Sequence, residues 1–73
     1  MIMNNINRTF TVIEVGKSTF STDIRFPNTD TVEVVDLTTR TVLNILAAEV
    51  SIYRHTLHLY GKSFRIMNIR ESM

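Results

Sequence analysis

The stretch Thr38–Gly61, TTRTVLNILAAEVSIYRHTLHLYG, decides how this chain is read. Up to Gly61 it is the longest run free of Gly, Pro and Asp. At about 100° per residue, Val42, Leu43, Ile45, Leu46, Val50, Tyr53, Leu57 and Tyr60 fall in one arc. Arg40, Asn44, Ala47, Ala48, Ser51, Arg54, His55 and His58 fill the opposite arc. Asp36 or Thr38 can accept from the free N–H groups at the start. Gly61 sits where a left-handed residue ends a helix, and Lys62 suits the negative end of the dipole. The spacing predicts one long amphipathic helix over 38–60. A rival pattern lies inside it. Thr56–Tyr60, TLHLY, alternates like a strand, and helix propensity in SIYRHTLHLY is poor. Gly61-Lys62 would then centre a type II′ turn, pairing Leu59 with Phe64 and Leu57 with Ile66. With no breaker between 38 and 60, the single helix is the expectation.

Before this stretch the pattern is β. Asn7–Val15, NRTFTVIEV, and Ser18–Phe26, STFSTDIRF, flank Gly16-Lys17, which reads as a type II′ hairpin turn. That turn sets Val15 opposite Ser18, Ile13 opposite Phe20 and Thr11 opposite Thr22. Ile13, Val15, Phe20, Ile24 and Phe26 then share the core face, and Phe10 and Val12 fall on the wet face. Pro27–Asp30 is a turn by composition. Thr31–Asp36, TVEVVD, reads as a third strand with Val32 and Val34 inward. Ser63–Ile69, SFRIMNI, reads as a last strand with Phe64 and Ile66 on one face. The expected fold is α+β: a three-stranded antiparallel meander, the helix 38–60, and a C-terminal strand. The alternative is a shorter helix followed by a second β-hairpin.

Seventy-three residues make one domain, 1–73, with residues 1–6 and 71–73 frayed. A domain this small buries only about 60% of its unfolded surface, so self-association is a natural source of extra stability. There is no cysteine, hence no disulfide and no thiolate metal site. The chain is 44% hydrophobic and 21% charged, an ordinary globular balance. No apolar run approaches the roughly 18 residues of a membrane span. The N-terminus, MIMNNINRTF, lacks the charged and apolar regions of a signal peptide, and a cytoplasmic location is expected.

The Gly-Lys hairpin, the helix and Leu57–Lys62, LHLYGK, resemble ubiquitin-like β-grasp domains over about half the chain. The resemblance implies the alternative fold above. The extra N-terminal strand departs from that pattern. The chain also ends Arg70-Glu71-Ser72-Met73, without a Gly-Gly tail to conjugate.

Candidate chemistry is sparse. Gly16-Lys17-Ser18 and Gly61-Lys62-Ser63 spell the end of a phosphate-binding loop, but Thr11 and Thr56 stand where its first glycine is needed. Both read as turns. His55 and His58, on one helical face, are two ligands where zinc needs three or four, so surface histidines are expected and no cofactor or metal. No nucleophile elbow or carboxylate pair is present, and no enzyme is expected.

Charge is the best signal. Residues 1–37 carry three bases against five acids, and residues 38–73 five bases against two acids. Arg40, Arg54, His55, His58 and Lys62 would line the outer side of the helix, with Arg65 beyond, as a basic patch for a partner. The reading is a small non-catalytic protein acting by protein–protein interaction, of the accessory or inhibitory kind that phages and mobile elements encode. The second reading is a nucleic-acid-binding module using the same basic face, against which stands a pI near 8.2. A homo-oligomeric structural protein with Phe10, Val12 and part of the helix at its interface is a third.

Overall fold

The computed structural model describes residues 5–17 and 21–71. They form seven antiparallel strands: β1 Arg8–Glu14, β2 Ser21–Arg25, β3 Thr31–Asp36, β4 Val42–Leu46, β5 Val50–Tyr53, β6 Thr56–Leu59 and β7 Lys62–Glu71. The strand order is β4-β3-β2-β1-β7-β6-β5. The fold is therefore nearly all β, and the expected α+β class with an amphipathic helix over 38–60 is wrong. The described residues contain no α-helix. A 3-10 turn, Ala47–Glu49, is the only helical element among them.

The error has a physical origin. The inward-directed pairs of β4, β5 and β6 are Leu43 and Ile45, Val50 and Ile52, and Leu57 and Leu59. Successive pairs are seven residues apart, which is close to two helical turns. Three short strands thus imitate a helical stripe. The turns before β4 and between β5 and β6 hide because ordinary residues take the positive φ that glycine usually supplies. Arg40 has φ 62° and Arg54 φ 59°. Asp36 does cap N–H groups, but those of a turn. Its Oδ1 accepts from Thr38 at 2.8 Å and Thr39 at 3.2 Å, closing the β3–β4 connection.

The β6–β7 hairpin was foreseen as the alternative, in another register. Leu57 pairs with Phe64 and Leu59 with Lys62. The turn residues are Tyr60 and Gly61, both at positive φ as in a type I′ turn. The first hairpin is also shifted. Thr11 pairs with Asp23 and Val12 with Thr22. Gly16, at φ 85°, is the third residue of a turn in which Lys17 N–H donates to the Glu14 carbonyl at 3.0 Å. That is type II geometry, not II′. A one-residue slip turns β1 over. Phe10 and Val12 are buried at 2% and 0% exposure, and Val15 is 61% exposed. The expectations for Ser18 and Phe20 lie outside the described residues.

Other elements fall as read. Thr31–Asp36 is a strand with Val32 buried. Asn28 Oδ1 closes the turn before it, accepting from the N–H groups of Asp30 and Thr31 at 2.8 Å each. β7 is longer than expected and carries a bulge at Met67, because Thr11 faces Asn68 while Val12 faces Ile66. Bulges bend a strand and increase its twist.

The sheet curls into a half-barrel. Phe10, Val12, Ile24, Phe26, Val32, Ile45, Leu57 and Leu59 form one core cluster drawn from both wings of the sheet. Phe10 and Phe26 meet edge to face, centroids 5.5 Å apart. β4 and β5, at the two ends of the order, both run antiparallel to β1. The 3-10 turn carries the chain from one edge to the other. Among the described residues no ladder joins these edges, and the barrel they form is open along β4 and β5.

Candidate functional site

The open β4 edge is built from the sequence VLNIL. Asp36 N–H donates to the Thr41 carbonyl at 2.9 Å, and Ala47 N–H to the Asp30 carbonyl at 2.8 Å. These bonds bracket the β3–β4 ladder, whose register pairs Val34 with Leu43 and Val32 with Ile45. Hydrogen-bonded and non-hydrogen-bonded pairs alternate in an antiparallel ladder. Leu43 and Ile45 therefore bond to β3. Val42, Asn44 and Leu46 turn their backbone N–H and C=O groups away from the sheet. Among the described residues no other backbone group reaches them.

The side chains along this edge are apolar. Val42 is 52% exposed, and Leu43 and Leu46 are each 62% exposed. Leu37, beside them in the β3–β4 turn, is also exposed. Leu43 shares the inward face with Val34 and Ile24, yet it lies open because no strand follows β4. The strand carries no charge, no proline and no bulge, the devices that normally protect an edge. The opposite edge, β5, is shorter, and its inward Val50 and Ile52 are half-buried.

The six basic candidates no longer share a helical face. Arg40 lies in the β3–β4 turn, at the β4 end of the strand order. Arg54 and His55 form the β5–β6 turn, His58 is on β6, and Lys62 and Arg65 are on β7. All six are exposed. Five of them thus stay together on the β5–β6–β7 wing, and Arg40 separates from them. His58 Nδ1 and Ser63 Oγ are 3.2 Å apart across the β6–β7 ladder. The two tyrosines expected in the apolar arc are instead on the surface, Tyr53 at 66% and Tyr60 at 61% exposure. The Arg54 guanidinium lies over the Tyr53 ring, 5.3 Å from its centre. Residues 50–70 contain no Asp or Glu.

A cleft of about 280 Å³ opens between the N-terminal segment and the β5 wing, lined chiefly by Ile6, Phe26, Asn28, Ala47, Val50 and Ile52. Its lining holds no titratable side chain. Among the described residues no cluster of three or more His, Asp or Glu could hold a metal ion. No helix among them is long and apolar enough to cross a membrane.

Sequence reasoning missed the β4 edge because it placed Val42–Leu46 inside a helix. The available signal was a short, uncharged aliphatic run between Thr41 and Ala47. No known protein family's profile matches the chain, and no curated protein or solved structure shows significant similarity to it.

Proposed function

We propose that the chain is a small non-catalytic binding protein, acting by protein–protein contact in a cytoplasm as an accessory or inhibitory factor. The contact is the addition of an extended segment of a partner to β4. One observation carries this reading. Val42, Asn44 and Leu46 direct backbone groups outward that no other described residue pairs with, between exposed aliphatic side chains, on an edge with no charge to repel a strand. In strand addition, main-chain bonds supply affinity and alternate side chains supply specificity. A photo-crosslinking residue at Val42 tests it in cells expressing the full chain, with Asn68 on β7 as the control position. A protein adduct from position 42 and none from position 68 is expected. No protein adduct from position 42 removes the reading.

A second reading is single-stranded nucleic acid bound on the β5–β6–β7 wing. Exposed Tyr53, with Arg54 over its ring, lies at the β5–β6 end of this wing and exposed Tyr60 at the β6–β7 end near Lys62, with His58 and Arg65 on the strands and no acid in the segment. Anisotropy with labelled single-stranded DNA and RNA at about 50 mM salt tests it, since phosphate contacts weaken steeply as salt rises. Binding that Arg54→Glu with Lys62→Glu abolishes would favour this reading. No binding at that salt ends it.

A further inference from the structure

The geometry points to a second copy of this chain as a strand partner of β4, paired antiparallel across a two-fold axis at Asn44. This inference rests on reading β4 as an open edge and names one occupant for it. An antiparallel pair centred on residue 44 sets Val42 against Leu46 of the second copy, Leu43 against Ile45, and Asn44 against Asn44. The residues with outward backbone groups are Val42, Asn44 and Leu46. All three then fall in hydrogen-bonded pairs, and each pair exchanges both of its bonds. A two-fold axis at Leu43 or Ile45 would use only two of the three residues. The edge is thus self-complementary in one register above the others.

Side chains agree with that register. On the outer face, exposed Val42 meets exposed Leu46 twice. On the inner face, exposed Leu43 meets Ile45 of the other copy, extending the core row of Val34 and Ile24 across the axis. Asn44 meets its own copy, a pairing in which each amide can both donate and accept. No charged side chain lies on β4. The nearest, Glu33, pairs with Asn44 in the ladder and is held by Arg25 at 3.4 Å. No like-charge contact opposes the axis. The contact is isologous, so it uses the β4 edge of both copies and closes at a dimer. A five-residue strand pair is small against the about 1,200–2,000 Å² of stable complexes, so the dimer is expected to be reversible.

Sedimentation equilibrium on the full chain from about 10 μM to about 1 mM tests this, a range that covers weak dissociation constants. Concentration-dependent dimer is expected. Asn44→Pro should remove it while leaving the circular dichroism spectrum unchanged, because the lost N–H points away from β3 and proline is tolerated at such edge positions. Asn44→Cys gives a second readout in a chain without native cysteine. Across the axis the two Cα atoms would lie about 5.5 Å apart, within the roughly 4.4–6.8 Å a disulfide spans. Val42→Cys would lie about 13 Å from its own copy, four residues of strand. Rapid oxidation of Asn44→Cys to a dimer, with slow oxidation of Val42→Cys, supports the register. A monomer over the whole range, a dimer that Asn44→Pro leaves intact, or equal oxidation of both cysteine variants overturns it. Failure here leaves strand addition by another protein standing if position 42 still crosslinks to one. Loss of every protein adduct at position 42 removes both.

Discussion

Arg70 Nη2 donates to Asp23 Oδ2 at 2.7 Å, across the intervening strand β1 and 47 positions of sequence. Thr11 on β1 donates its hydroxyl to the other carboxylate oxygen at 2.8 Å. One side chain on β2 therefore ties three adjacent strands together on the outer face. The Asp23 side chain is 13% exposed and that of Arg70 54% exposed. The two halves of the pair should respond differently. Asp23→Ala removes acceptors for two donors and should cost about 1–2 kcal/mol. Arg70→Ala leaves the Thr11 bond in place and should cost under about 1 kcal/mol. Urea midpoints at constant slope measure both. Equal, near-zero losses would mean the network contributes nothing.

The β6–β7 turn uses Tyr60 at φ 50° and Gly61 at φ 75°. Asn-Gly is the preferred pair for a type I′ turn, and a bulky aromatic is strained at its first position. Tyr60 is 61% exposed, so little packing is lost with it. Tyr60→Asn should stabilise the chain by about 0.5–1 kcal/mol. Gly61→Ala should destabilise by about 1 kcal/mol, a backbone cost because none of the described residues lies within 4 Å of the added Cβ. Thermal midpoints moving the opposite way in either variant would exclude this turn.

Leu57 is fully buried on β6, whereas Leu43 on β4 is 62% exposed although it faces inward. Leu57→Ala should cost about 2–5 kcal/mol, the range for core leucines. Leu43→Ala should cost under about 1 kcal/mol in dilute monomer. A closed barrel would make the two losses similar. Denaturation at low protein concentration separates these outcomes.

How far the sequence revealed this fold depended on the turns. β3 was legible because Asp30 and Asp36 bound an alternating run, and Asn28 signals the turn before it. β1 and β2 were legible as strands but not in register, since Gly16 serves a type II turn one residue out of step with a II′ hairpin. β4, β5 and β6 were hidden by a seven-residue strand repeat and by turns at Arg40 and Arg54 that no glycine announces, while Gly61 marked only the β6–β7 turn. The candidate site followed the same division. The bases from Arg54 to Arg65 are neighbours on one wing because they are neighbours in sequence. Arg40 joined them only through the helix. The β4 edge could not be read at all until Val42–Leu46 became the last strand of a sheet, because an edge is a property of strand order.

Amide hydrogen exchange resolved along Val42–Leu46, as a function of protein concentration, tests the open edge most directly. In dilute protein the amides of Leu43 and Ile45 should exchange slowly and those of Val42, Asn44 and Leu46 rapidly, giving alternating protection. At high concentration, or with a bound strand, all five should become protected. Uniform protection of all five in dilute protein would indicate a helix or a covered edge. Three outward amides that stay unprotected at every concentration would contradict self-pairing.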